Sequence, residues 1–158
     1  MEIYGVSFDM VGKQPIVLLK TSDGRRFLPI WIGANEANAI MSRIQGAESP
    51  RPMTHDLLST LVDELGCSVV RVAITELREN TFYALITLQT QAGELEIDSR
   101  PSDAIALAVR ATAPIYAADD VISESAIEFD NEQPDEGEVV EEFKRFLEDV
   151  RPEDFRGE

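Results

Sequence analysis

A chain of 158 residues, 44 % hydrophobic and 28 % charged, has the length and composition of one globular domain, or of one domain with a tail. One cysteine, Cys67, and one histidine, His55, exclude an internal disulfide framework, cysteine-rich zinc sites and sites built from several histidines. Fourteen basic residues against 30 acidic ones, net −16, are the reverse of the basic footprint of a duplex-binding protein.

Residues 2–12 read as a strand, with Ile3, Tyr4, Val6, Phe8 and Met10 in near-alternation. Ile16 to Leu19 is a second strand, Ser22-Asp23-Gly24 a hairpin signal, and Arg25 to Ile32 a third strand. Pro29 cannot donate to a ladder and belongs at an edge or a bulge. From Ala34 the period changes: Ala37, Ile40, Met41 and Ile44 predict one face of a helix ending at Gly46. After a loop over 47–53 a second helix starts near Thr54, with Leu57, Leu58, Leu61, Val62 and Leu65 on its apolar side and Gly66 as its cap. Val69 to Ile74, Thr81 to Thr90 and Glu94 to Asp98 read as three more strands. Pro101 fits the first turn of a helix whose run 104–109 is apolar all round and predicts burial on several sides. A short strand at 114–117 and a short helix over 119–127 follow.

Residues 128–138 look like a polar linker. A last helix, 139–149, puts Val139, Val140, Phe143, Phe146, Leu147 and Val150 on one stripe that must dock on this chain or on a neighbour. The acid excess collects here, since residues 119–158 hold 16 acids against 4 bases and residues 1–118 hold 14 against 10. The predicted organisation is a domain over 1–127 and an acidic linker with an amphipathic helix over 128–158. The element order predicts an α+β fold with mixed sheets and packed helices. No apolar run is long enough for a membrane helix. The start, Met1-Glu2-Ile3-Tyr4, lacks the features of a signal peptide, so a cytoplasmic location is expected.

Phosphate-loop, dinucleotide, zinc-hydrolase and nucleophile-elbow motifs are absent. What stands out is a pairing. Arg51-Pro52-Met53-Thr54-His55-Asp56 precedes one helix and Arg100-Pro101-Ser102-Asp103 another. Thr54 or Ser102 can cap free backbone amides, and Asp56 or Asp103 suits the positive end of a helix dipole. The same features can bind an anion, with Arg51 and Arg100 forking onto phosphate or carboxylate and His55 at the rim as acid or base. Asp56, Asp103 and Asp98 could instead hold a hard cation such as magnesium, with Glu36, in the first turn of its helix, as a further carboxylate. His55 also fits a structural role at the edge of an apolar face, and Cys67 fits simple packing.

These segments together, Leu28-Pro-Ile-Trp-Ile-Gly33 with Glu36-Ala37, Arg51 to Leu57, Thr81-Phe-Tyr-Ala84, and Asp98 to Arg110 with Pro114-Ile-Tyr116, resemble the bifunctional nuclease domain family, in a form with an acidic C-terminal helix. The resemblance implies an α+β fold, a homodimer or larger homo-oligomer, and nuclease activity on RNA and DNA. The family's polar positions fall on Glu36, Thr54, His55, Asp56, Arg100, Ser102 and Asp103. The expected function is phosphodiester hydrolysis: His55, Asp56 and Asp103 catalytic, Arg51, Thr54, Arg100 and Ser102 binding substrate, and Glu36, Asp56 and Asp103 available to Mg2+ or another divalent cation. Single-stranded nucleic acid is the expected partner, against the net charge. The rival expectation is a non-enzymatic oligomeric module that binds a small anionic ligand or a protein partner.

Overall fold

The computed structural model describes residues 1–10, 12–129 and 136–149. Two four-stranded sheets enclose a layer of helices. In the first, β1 (Glu2–Asp9), β2 (Gln14–Lys20) and β3 (Arg26–Trp31) form an antiparallel meander, and β8 (Ile127–Glu128) adds to β3. In the second, the order is β6 (Gly93–Ser99), β5 (Thr81–Thr90), β4 (Ser68–Arg78) and β7 (Ile115–Ala117), with β7 parallel to β4 and the other pairs antiparallel. The helices are α1 (Ala34–Ile44), α2 (Thr54–Glu64), α3 (Pro101–Ala111), α4 (Asp119–Ser125) and α5 (Glu136–Asp149). This is an α+β fold. Among the described residues no helix is long and apolar enough to cross a membrane.

The unbroken apolar run of β2 has a simple cause: both faces of the strand are covered. Val17 and Leu19 face the main core with Leu28, Ile30, Val72, Ile74 and the buried helix α3. Ile16 and Leu18 face a second cluster with Phe27, Phe129, Val139 and Phe143. The amphipathic stripe of α5 therefore docks on its own chain, over the outer face of the first sheet, where Trp31 and Phe146 lie 5.9 Å apart. Burying each such apolar side chain contributes roughly 1.5–3 kcal/mol. Pro29 sits where expected. It pairs with Leu18, while β8 reaches only Arg26 and Phe27, leaving β3 an open edge at the proline.

Three expectations are corrected. The predicted linker begins too early: Glu128 pairs with Arg26, and Phe129 is buried against Phe27 at 5.1 Å between ring centroids. Residues 130–135 and Val150 lie outside the described residues. Ile44 is exposed rather than packed. The largest difference is at α2, where Leu57, Leu58, Leu61 and Leu65 face solvent and His55 is the buried residue. The helix leans on α3 by its His55 and Val62 side, and its leucine stripe turns outward.

Candidate functional site

Helix α3 runs through the centre of the domain, buried from Pro101 to Ala108 apart from the half-buried Asp103. Its N-cap is Arg100, in extended backbone at the end of β6, and Pro101 opens the first turn. Asp103 thereby projects from that turn toward α2. His55, in the first turn of α2 and 8 % exposed, meets it: His55 Nε2 lies 2.8 Å from Asp103 Oδ1. Arg100 Nε donates to Asp103 Oδ2 at 2.8 Å, and its Nη2 donates to Glu36 Oε1 at 3.0 Å. Three helices thus contribute one chain of contacts, Glu36–Arg100–Asp103–His55.

Burial alone would raise the Asp103 carboxyl, but the hydrogen bonds and charges of Arg100 and His55 outweigh it and hold it below the ordinary carboxylate range. The same bond to Asp103, then Glu36, raises Arg100 against the opposing effect of burial. With Asp103 a carboxylate, the proton in the 2.8 Å contact belongs to His55 Nε2. A lone pair, when the ring carries one, is then on Nδ1.

This cluster closes the polar end of a cleft of about 580 Å3. Thr54, Asp98, Ser99 and Arg100 line it beside His55 and Asp103, and the rest of the wall is Leu57, Leu58, Leu61, Val62, Ile86, Leu88, Ile97 and Leu107. Arg100 is the lysine or arginine that lines it among the described residues.

The expected residues divide. Glu36, His55, Arg100 and Asp103 come together, and Thr54 lines the same cleft. Asp56 turns away. Its Oδ2 accepts from the Met53 backbone N–H at 2.9 Å, and its Oδ1 from Arg110 Nε at 2.7 Å. Those two bonds hold its carboxyl below the ordinary range. The capping role expected at this helix therefore falls to Asp56, and Met53 and Arg100, not Thr54 and Ser102, stand at the N-caps. Ser102 is buried, and neither it nor Arg51, exposed in the preceding loop, lines the cleft. The two arginine-proline corners thus do not form one shared cradle lined by both guanidinium groups. Cys67 is half-buried, its thiol toward Leu65 O.

The expected magnesium site does not fit this arrangement. Glu36 and Asp103 each spend an oxygen on Arg100, and Asp56 spends both on Met53 and Arg110. Among the described residues no three His, Cys, Asp or Glu side chains are grouped to hold a metal ion.

Arg110 had no assigned role in the sequence, yet it ties the site's frame. It donates to Asp56 on α2, to Ala39 O on α1 at 3.1 Å and to Ala106 O at 2.8 Å, with its side chain 7 % exposed. Its signal was the spacing, seven residues after Asp103, two helical turns on and on the same side of α3.

Residues 17–130 match the bifunctional nuclease domain family, and the chain belongs to that family. An uncharacterized protein of Mycobacterium tuberculosis is 38 % identical over 99 % of this chain and 97 % of its own length. A bifunctional nuclease of Oryza minuta is 25 % identical over 87 % of this chain and 43 % of that protein. Bifunctional nuclease 1 of Arabidopsis thaliana is 30 % identical over 64 % of this chain and 32 % of its own. The chain thus spans less than half the length of these plant relatives.

Proposed function

We propose that this chain is a nuclease that hydrolyses phosphodiester bonds of single-stranded RNA or DNA in the cleft between α2, α3 and β6. The observation that carries the reading is the His55–Asp103 pair at the cleft's polar end, 2.8 Å between Nε2 and Oδ1. In this reading His55 Nδ1 takes a proton from the water that attacks phosphorus, Asp103 stabilises the resulting imidazolium, and as the P–O ester bond breaks the leaving oxygen takes a proton from that imidazolium or from solvent. Arg100, its side chain 66 % exposed, turns its remaining N–H groups to a phosphate oxygen, and the Thr54 hydroxyl is a second contact. The apolar wall gives an unstacked base a place to sit, which a single strand can supply more cheaply than a duplex. No step runs through a metal ion. The test is cleavage of single-stranded RNA and DNA by purified protein, with magnesium and with chelator. Activity is expected in both, falling at least 100-fold in His55→Ala and in Asp103→Ala. Cleavage surviving the double change overturns the reading.

The same apolar residues support a rival reading, self-association, because a second copy seated on Leu57, Leu58, Leu61 and Ile97 would cover the wall of the cleft. Leu57, Leu58, Leu61 and Leu65 on α2 and Leu95 and Ile97 on β6 are all at least one-third exposed. They leave on the order of 500 Å2 of apolar surface, high for a monomer and suited to the core of an interface of roughly 800 Å2 per partner. Two copies of a chain with net charge −16 approach at least cost across an uncharged face. Antiparallel pairing of β6 edges would bring the Glu94 and Glu96 rows of two copies together, which favours face-to-face packing instead. On this rival reading light scattering shows a dimer, and Leu61→Lys a monomer. A wild-type monomer at about 100 μM, far above the Kd expected of such an interface, refutes this.

A further inference from the structure

Gly33 is the N-cap of α1, and its backbone there is ordinary, φ −73° and ψ 157°. Any residue adopts that conformation, and a serine or aspartate would cap the helix better. The reason for glycine is space. A Cβ at this position would collide with Glu36 Oε2, and Glu36 Cδ lies 3.2 Å from where it would stand. The Glu36 side chain folds back over the glycine, 18 % exposed, and from there its Oε1 accepts from Arg100 Nη2 at 3.0 Å.

Arg100 is therefore held between two carboxylates, Asp103 on Nε and Glu36 on Nη2. The first contact belongs to the His55 pair. The second occupies part of the guanidinium that an incoming oxyanion would use, with a carboxylate of the same charge as the ligand. We propose that Glu36, seated on Gly33, is an internal competitor for anionic ligands at Arg100: a phosphate group binds by displacing the Glu36 carboxylate. This rests on the reading of Arg100 as the phosphate contact. Gly33 and Glu36 then set how tightly the site holds a phosphate, and Gly33 acts only through Glu36.

The probe is inorganic phosphate at constant ionic strength, followed by the ring signals of His55, the chain's one histidine. Glu36→Gln removes the competing charge, and Gly33→Ala pushes the carboxylate off its seat. Each is expected to bind phosphate about five- to tenfold tighter than the wild type, the scale of one partly exposed ion pair plus one like charge removed. The clash at Gly33 is with the end of a flexible side chain, so the fold should persist, and Glu36→Gln carries the test if it does not. The double variant is expected to match Glu36→Gln within about twofold, because a mutation acting through a missing partner has nothing left to change. Arg100→Ala is expected to abolish binding. Binding that survives Arg100→Ala, or no binding in any variant, overturns the phosphate contact and this proposal with it. Binding lost in Arg100→Ala but unchanged or weakened in Glu36→Gln overturns the competitor alone. So does a Gly33→Ala effect that persists on top of Glu36→Gln.

Discussion

Replacing Asp103 by asparagine changes one atom and reverses a hydrogen bond. In the wild type both carboxylate oxygens accept, one from Arg100 Nε and one from His55 Nε2, each at 2.8 Å. An asparagine has one acceptor and one donor end. Arginine can only donate, so the amide oxygen goes to Arg100 and the amide NH2 faces His55. The imidazole must then accept at Nε2 and carry its proton on Nδ1, which is the wrong tautomer for a base at Nδ1. Hydrogen bonds to charged groups contribute about 1.5–3 kcal/mol each. Because Arg100 is largely exposed, the loss in stability should lie near the lower figure, about 1.5 kcal/mol, or a few degrees in Tm for a domain of this size. Catalysis should suffer more, by at least 100-fold in kcat, since the proton acceptor is gone. The assay is 15N NMR of the imidazole, unambiguous because the chain has one histidine. Wild-type protein at neutral pH should show Nε2 protonated, and Asp103→Asn should show Nδ1 protonated. A wild-type ring protonated on Nδ1 alone, or a variant with the wild-type pattern, would refute the reasoning.

Arg110→Met should destabilise by about 2 kcal/mol, the cost of hydrogen bonds lost by a buried guanidinium and less than that of a fully buried pair, because the Asp56 left behind is 39 % exposed and water can meet it, and Arg110→Lys should rescue little, because one ammonium cannot reach acceptors on α1, α2 and α3 at once; chemical denaturation measures both. Asp56 and Asp103 have folded-state pKa values below their unfolded ones. The stability they supply is present above the unfolded value near 4 and is lost as pH falls through the lowered folded values, so an acid titration of the unfolding midpoint should show a drop below about pH 4 that Asp103→Asn reduces. Phe143→Ala should cost about 3 kcal/mol and release α5 from the first sheet, seen as lost amide protection at Ile16 and Leu18. Affinity for single-stranded oligonucleotides should depend weakly on salt, with a log–log slope no steeper than about −1, because one arginine lines the cleft; a slope of −4 would locate binding on another surface.

Local pattern carried most of the fold. Strand alternation, the shift to a helical period after Gly33, and Pro101 at the head of an apolar helix all placed elements within a few residues of where they lie. What periodicity could not supply was which side of a helix is covered. The leucines of α2 satisfy every local rule for a core face, yet four are exposed, because the helix packs on α3 by its His55 side and Leu57, Leu58 and Leu61 face the open cleft instead. The polar run at 128 hid Phe129 in the same manner: one aromatic among acids reads as linker until Phe27 is known to lie beside it. At the site, three residues whose types were expected to carry chemistry, His55, Asp103 and Arg100, come together, but pairing followed reach rather than motif symmetry. Asp56 and Asp103 hold equivalent places in their two motifs, yet one faces Arg110 and the other His55.

The distribution of charge bears on how an acidic protein would take the polyanionic ligand proposed for it. Among the described residues, Glu141, Glu142 and Glu148 sit on α5, which covers the outer face of the first sheet. The cleft opens on the second sheet, with the core helices between them. At physiological ionic strength exposed charges fade over about 8 Å, so acids on the far side of a domain hardly oppose a phosphate at Arg100. The carboxylates that matter are local: Asp103, already committed to His55 and Arg100, Glu36, which shares the guanidinium, and Asp98, which lines the cleft. Under the proposed competition, the carboxylate that contends directly for Arg100 is one movable side chain, so the site would be weak at rest and still accept an oxyanion once Glu36 yields, and its affinity would follow the room left at Gly33 more closely than the net charge of the chain.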